Sequence, residues 1–246
     1  MSVIAVDHLS LTLAGVPVLR DVTFAIEPGE TVALLGANGS GKTTLVQTIL
    51  GLRRPTAGTV TLLGQPIERF AAWDQVGYVP QRASVSLHAT TVAEVVASGT
   101  LARRPVGWSG ARGRARVTRA LAAVGLADKA GELYLHLSGG QQQRTLIARG
   151  IVNAPPLVIL DEPFAGVDVG AQAEIATVLR TIASTVLVVL HETDALASAI
   201  DRALVLEGGR LVYDGPLTAL DTHGTHETAP PPRTHLLTGM EPRWTS

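Results

Sequence analysis

The sequence contains no cysteine among its 246 residues. This absence excludes disulfide bonds and thiolate metal sites, and it is consistent with a reducing compartment such as the cytosol. The longest uninterrupted apolar runs, such as Val186–Leu190, are far shorter than the roughly 18 residues of a membrane-spanning helix. The N-terminal residues also lack the basic and apolar regions of a secretory signal peptide. We therefore expect a chain that neither crosses a membrane nor is exported by this route.

An excess of charge of either sign is also missing. Lysine and arginine total 20 against 21 for aspartate and glutamate, which gives a net charge of −1. Overall charge thus provides no argument for an acidic partner, and we expect no nucleic-acid partner. The length is sufficient for one large α/β domain, with or without an inserted subdomain.

A glycine-rich segment near the N-terminus, Gly36-Ala-Asn-Gly-Ser-Gly-Lys-Thr43, predicts a phosphate loop. The run Thr31–Leu35 before it is typical of a strand, and Lys42–Leu50 after it is typical of a helix. Glycines let the backbone approach an oxyanion, so that N–H groups and the helix N-terminus point at phosphate. Lys42 would neutralise the β and γ phosphates of a nucleotide, and the Thr43 hydroxyl would ligate Mg²⁺. We assign nucleotide binding to Gly36, Ala37, Asn38, Gly39, Ser40, Gly41, Lys42, Thr43 and Thr44.

A second signal is the segment Leu157–Glu162, an apolar run that ends in two adjacent carboxylates. Charge at the end of a buried strand indicates that a cation is held there. Asp161 would hold the Mg²⁺ between the β and γ phosphates, and Glu162 would act as general base on the attacking water. The alternative is that both acids only cap the solvent end of the strand.

Two further polar residues follow predicted strands and should reach the same edge of the sheet. His191 follows Val186–Leu190 and could hold water in line with the γ-phosphate, although a single histidine in this place is more often structural. Gln81 follows Gly77–Pro80 and could touch Mg²⁺ or water, or could be an ordinary loop residue.

The segment Leu137–Gln141, Leu-Ser-Gly-Gly-Gln, predicts the start of a helix. Ser138 and Gln141 form a capping box, and Gly139 and Gly140 leave the helix end without side chains. Such an end is a second anion site, and one γ-phosphate cannot easily serve two such sites within a compact monomer. The arrangement favours a dimer in which each copy closes over the other copy's nucleotide, against the alternative of an ordinary capped helix.

The remaining pattern predicts an α/β fold of the P-loop NTPase type. Helix and strand patterns alternate over residues 139–213, which indicates a mainly parallel sheet with ligands at the carboxyl ends of its strands. Residues 3–28 read as short strands of an antiparallel β edge, with separate strands at Val3–Leu9 and Leu11–Leu13.

The domain organisation follows from composition. Alanine-rich helical patterns over about residues 82–135 predict a helical subdomain inserted in an ATPase domain of residues 1–220. Residues 221–246 carry three consecutive prolines and three histidines with little periodicity, so we predict a flexible tail.

Together these motifs resemble those of ATP-binding cassette (ABC) ATPases, in order and in spacing, over roughly residues 3–215. The matching segments are the phosphate loop (Walker A), Gln81 (Q-loop), Leu137–Gln141 (signature), Leu157–Glu162 (Walker B), Ala165–Asp168 (D-loop) and His191 (switch histidine). One position departs from the family pattern. An aromatic residue commonly stacks on adenine before the phosphate loop, whereas this chain offers Leu13, so stacking should be weaker and the preference for ATP over GTP is in question.

The resemblance implies ATP as substrate, Mg²⁺ as cofactor and a head-to-tail dimer with two ATP molecules at its interface. Asp168 joins the nucleotide-binding residues on this basis. The implied partners are a second copy of the chain, integral membrane permease subunits and an extracytoplasmic solute-binding protein. The protein would then lie peripherally at the cytoplasmic face of the cell membrane.

The transported solute is suggested only by finer resemblance. Phe164–Asp168 and Tyr78–Arg82 look like the branch that imports zinc or manganese, with iron-chelate importers as near relatives. An exporter subunit, or a soluble cassette protein such as an iron–sulfur assembly factor, shares the catalytic motifs and is the alternative. Histidines in the tail could sample a divalent metal, and the arginines of residues 103–119 could face lipid head groups or acidic loops; a solvated segment is the simpler interpretation of both.

Overall fold

The computed structural model describes residues 1–81, 90–101, 110–182, 184–190 and 199–220. The strands are β1 Ile4–Leu13, β2 Val16–Ile26, β3 Thr31–Leu35, β4 Ala57–Leu62, β5 Gln65–Pro66, β6 Val76–Val79, β7 Leu157–Asp161, β8 Thr185–Val189, β9 Arg202–Glu207 and β10 Arg210–Pro216. The α-helices are α1 Lys42–Ile49, α2 Val92–Ser98, α3 Ala111–Ala123, α4 Gly139–Ile151, α5 Val169–Thr181 and α6 Leu217–Leu220. Within the described ranges, no helix combines the length and the apolar character that crossing a membrane requires.

The central sheet has the strand order β10-β9-β3-β8-β7-β6. All neighbouring strands in it are parallel except β10, which is antiparallel to β9. Strands β3, β7 and β8 are almost wholly buried, which explains why they read as continuous apolar runs. The carboxyl ends of these parallel strands therefore meet at one edge, as the sequence predicted.

Alternate residues of the central sheet face two separate cores. In β3, Val32 and Leu34 pack with α1 and the antiparallel sheet, whereas Ala33 and Leu35 pack with α2 to α5. The second sheet is antiparallel, with the order β2-β1-β4-β5. The result is a mainly parallel sheet covered by helices on one face and by α1 and the antiparallel sheet on the other, which confirms the predicted fold class.

The prediction of two strands within residues 3–13 was wrong, because β1 is continuous from Ile4 to Leu13. Its pairing with β2 shifts register between Val6 and Leu9 and again after Leu9. His8 has a positive φ of 48° there, so a bulge breaks the alternation on which the sequence interpretation depended. The inserted subdomain stays a prediction; α2 and α3 lie within its range.

Arg202, at the start of β9, joins the two sheets. Its Nε and Nη2 atoms donate to the two carboxylate oxygens of Asp214 on β10, at 2.5 and 2.7 Å. Its Nη1 atom donates to the carbonyl of Ala25 on β2 at 2.9 Å and to Glu30 Oε2 at 3.4 Å. The hydrogen bond with Asp214 is the main reason that the pKa of Arg202 is raised. The bidentate pair of Arg202 and Asp214 should hold β9 in position. That position matters for the phosphate loop, because Gly36 packs against the backbone of Leu206 on β9.

We expect Asp214→Asn to lower the free energy of unfolding by about 1–2 kcal/mol, because the guanidinium loses its charged bidentate partner while 23% of its side chain is exposed to water. Urea denaturation followed by circular dichroism measures the change. Glu207→Gln, at the exposed end of β9, is the matched control. Equal stability of the two variants would show that the pair contributes little.

Candidate functional site

The phosphate loop lies between the end of β3 and the start of α1, as the sequence predicted. Gly36, Gly39 and Gly41 all have positive φ, at 146°, 80° and 108°. Gly36 also has no room for a side chain, since a Cβ atom there would lie 2.2 Å from the carbonyl oxygen of Leu206 on β9. The loop thus needs glycine for conformation and for close packing, and its backbone is left open to a ligand.

Lys42 begins α1 and is 5% exposed. Its ammonium donates to the carbonyl oxygens of Gly36 at 2.6 Å and Ala37 at 3.1 Å. Since an ammonium carries three N–H donors, one remains for a phosphate oxygen. Burial lowers the pKa of Lys42, and the charges of Glu162 and then Asp161 oppose that effect.

A cleft of about 240 Å³ opens beside this lysine. Asn38, Gly39, Thr43, Thr44 and Glu162 are among the residues that line it. The Ser40 side-chain oxygen is buried within the loop without a hydrogen-bond partner among the described residues. The backbone N–H groups of the loop and the Lys42 ammonium, which adjoin this cleft, can bind an anion with several oxygens, such as a triphosphate.

Asp161 ends β7 and is 4% exposed. Burial raises the pKa of Asp161 and the neighbouring Glu162 raises it further, while Lys42 lowers it. Its Oδ1 atom has no hydrogen-bond partner within the described part of the chain. A buried carboxylate oxygen without a donor fits a divalent cation, so the residues present fit the Mg²⁺ that nucleotide hydrolysis requires.

Glu162 has a left-handed backbone with φ of 50°. Two backbone hydrogen bonds hold this conformation, from Glu162 N–H to Val189 O at 3.1 Å and from Ala165 N–H to Glu162 O at 3.2 Å. A residue with a Cβ atom costs roughly 1–2 kcal/mol in this region, and such conformations concentrate at functional sites. The Gln81 side-chain amide donates to Glu162 Oε2. Both residues were predicted at one sheet edge, but their direct contact was not.

The predicted capping box is confirmed at the start of α4. Gln141 N–H donates to the Ser138 hydroxyl at 3.3 Å, and Ser138 N–H donates to the Gln141 side-chain oxygen at 3.0 Å. Gly139 is exposed, whereas Gly140 is buried, and a Cβ atom on Gly140 would lie 2.3 Å from the Cβ of Ala171 on α5. The helix end is therefore open at Gly139, and Gly140 serves close packing of α4 on α5.

Asp168 lies at the start of α5, beside this helix end. Its Oδ1 atom accepts from Ala171 N–H at 3.0 Å and caps the helix. The sequence interpretation missed this cap, although an Asp directly before the first residue of a helix is its usual signal. His191 lies outside the described residues.

The predicted site residues thus fall into two groups. The phosphate loop, Asp161, Glu162 and Gln81 form one group at the carboxyl edge of the parallel sheet. The residues from Ser138 to Gln141 and Asp168 form the other, at the adjoining ends of α4 and α5. A glycine loop with a buried lysine, next to a carboxylate pair on a parallel sheet, defines a P-loop nucleotide-binding protein.

Comparison with known proteins places the chain in a particular family of P-loop proteins. The family model described as ABC transporter matches residues 19–165. The phosphonates import ATP-binding protein PhnC of Stutzerimonas stutzeri is 36% identical over 240 residues, 88% of this chain and 86% of its own length. The zinc transport system ATP-binding protein TroB of Treponema pallidum is 37% identical over 226 residues, 89% of this chain and 83% of its own. The solved structure of cbiO1 from Clostridium perfringens, part of the ABC transporter complex cbiONQ, has a TM-score of 0.81 at 27% identity and covers 90% of this chain and 91% of that one.

The chain belongs to the ABC transporter family. It is an ATPase of that family, which binds ATP with Mg²⁺ and hydrolyses it.

Proposed function

We propose that this chain powers the import of zinc or manganese as the nucleotide-binding subunit of an ABC transporter. Two copies would close head to tail over two ATP molecules at the cytoplasmic face of the membrane. They would drive integral permease subunits that receive the metal from an extracytoplasmic solute-binding protein. The observation that carries the ATPase part is the buried Asp161 Oδ1, which has no hydrogen-bond partner among the described residues and lies next to Glu162 of the phosphate-loop cleft.

We assign the following roles around the nucleotide. Lys42 and the backbone N–H groups of the phosphate loop bind and orient the β and γ phosphates. Thr43, Asp161 and Gln81 are the residues that would hold Mg²⁺, which when bound neutralises charge between those phosphates. None of these assignments needs a residue outside the cleft and the adjacent sheet edge.

Glu162 accepts a proton from the attacking water as general base. Its hydrogen bond from Gln81 and its fixed backbone orient the carboxylate for that step. His191 would hold the same water in line. Proton transfer to Glu162 and its later release leave the residue unchanged, as a catalytic base requires.

The second group of residues acts on the partner copy's nucleotide in this proposal. Gly139 leaves the start of α4 open, so the N–H groups there can meet a γ-phosphate. Ser138, Gly140 and Gln141 shape that helix end, and Asp168 holds the adjoining start of α5. A site completed by the second copy makes hydrolysis dependent on dimer closure.

The zinc or manganese assignment is supported by the similarity of Phe164–Asp168 to that branch and by the zinc-transport relative. A phosphonate is the second candidate, since the phosphonate-import relative has nearly the same identity and coverage. An iron-chelate importer, an exporter subunit and an iron–sulfur assembly factor share the same nucleotide site. The ATPase subunit does not contact the solute, so only an experiment with the whole transporter separates these possibilities.

We expect loss of this chain to lower the cellular content of one metal selectively. Total zinc, manganese and iron are measured in a strain lacking it, grown in metal-limited medium, and in the same strain complemented with wild type or with Glu162→Gln. A fall in zinc or manganese that wild type alone restores would support the proposal. Unchanged metals together with lost growth on a phosphonate as phosphorus source would instead favour the phosphonate importer.

A further inference from the structure

Arg144 lies on α4, less than two turns from the open helix end at Gly139. Its side chain is 14% exposed. Its Nη2 atom contacts Glu174 Oε2 on α5 at 2.9 Å, and its Nη1 atom donates to the carbonyl oxygen of Val124, the C-cap of α3, at 3.0 Å. One guanidinium therefore joins three helices, with its positive charge at the negatively polarised end of α3.

A second contact joins α4 to α5 one turn earlier. Gly140 lies against Ala171, so closely that a Cβ atom on the glycine would overlap the alanine methyl. The two contacts are four residues apart on α4 and three residues apart on α5, and residues at either spacing share one helix face, so both contacts lie along the same pair of faces. Two contacts separated by one turn prevent α4 from sliding along α5 and from rotating against it. A single contact would still allow the two helices to rotate about it.

The two fixed helices carry the residues assigned to the partner's nucleotide. Helix α4 begins at the Ser138 capping box, and α5 begins at the Asp168 cap. The glycine–alanine contact is apolar and has little directional preference. The Arg144–Glu174 ion pair joins two charged atoms at 2.9 Å, and the carbonyl of Val124 holds the guanidinium from the side of α3.

We propose that the Arg144–Glu174 pair is a positioning device, which holds the open end of α4 and the start of α5 in one orientation for the nucleotide of a second copy. This inference rests on the proposed head-to-tail dimer. Neither residue is among those that line the cleft at the phosphate loop. The pair therefore acts on closure and turnover, and the first binding of ATP to the phosphate loop is independent of it.

We expect Glu174→Gln to lower kcat by about fivefold, since a coupling lost between packed groups changes a rate by this order. The affinity of the monomer for a non-hydrolysable ATP analogue should stay unchanged. Placed in the Glu162→Gln chain, the same substitution should raise the ATP concentration needed to form a dimer in gel filtration. The Glu174 side chain is 57% exposed, so this variant should fold.

Glu132→Gln is the matched control, because Glu132 pairs with Lys129 in an exposed contact away from α4 and α5. Arg144→Lys keeps the charge but cannot reach both Glu174 and Val124 with a planar fork. Its effect and that of Glu174→Gln should be non-additive in the double variant, as expected for two members of one pair.

Each outcome bears on the inference. If the Glu162→Gln parent forms no dimer with ATP, the proposed dimer and this inference both fail. If the parent dimerises and adding Glu174→Gln changes neither dimerisation nor turnover, only the positioning role fails. A lower unfolding temperature with unchanged kcat would likewise assign the pair to stability alone.

Discussion

Replacing Glu162 by glutamine is expected to lower kcat for ATP hydrolysis by about 10²- to 10⁴-fold, the range that a general base contributes. ATP binding should persist, because the amide keeps the size of the carboxylate and its oxygen can still accept from the Gln81 amide. The backbone is unaffected, since glutamine meets the same cost at a φ of 50°. The substitution therefore removes the proton acceptor and retains the rest of the site.

The measurements are phosphate release at saturating ATP and the affinity for ATP under the same conditions. Glu68→Gln, at an exposed position in the short 3-10 helix after β5, is the control for loss of one carboxylate and should hydrolyse ATP normally. Accumulation of an ATP-bound dimer in the Glu162 variant would accompany the loss of turnover. A normal rate of hydrolysis would show that another group takes the proton.

The central sheet was predictable because the burial of its strands is reflected in their apolar residues. Thr31–Leu35 and Leu157–Asp161 are buried on both faces, so they carry uninterrupted apolar residues, and a parallel sheet follows from their alternation with helices. The same reasoning failed in β1. A bulge at His8 places polar residues out of alternation, and periodicity alone then divides one strand into two.

The site was predictable as far as its residues lie at strand ends and helix starts. The contact of Gln81 with Glu162 joins residues 81 positions apart, and no local pattern encodes it. The packing of Gly140 on Ala171 was also hidden, because a glycine at a helix start reads as exposed backbone until the neighbouring helix is placed. Such contacts depend on how elements pack, which the spacing of motifs does not determine.

Lys42→Ala is expected to weaken ATP binding by about 100-fold, because a charge-assisted hydrogen bond to phosphate is lost. Lys42 is 5% exposed, and burial lowers its pKa, so the folded protein holds this charge at a cost that Glu162 and Asp161 partly offset. Removing the ammonium removes that cost as well as the phosphate ligand. The substitution should therefore lower the affinity for ATP strongly while it changes the stability of the nucleotide-free protein little.

Lys129→Ala provides the control, since Lys129 is the only other lysine of the chain and pairs with Glu132 away from the phosphate loop. We expect thermal unfolding of the Lys42 variant without nucleotide to stay close to that of wild type, while ATP raises the unfolding temperature of wild type and of the control only. A Lys42 variant that ATP stabilises as strongly as wild type would contradict the phosphate role. If the unfolding temperature of the variant without nucleotide is instead far below that of wild type, the contacts of Lys42 with Gly36 and Ala37 stabilise the loop. The main role of the lysine would then be structural.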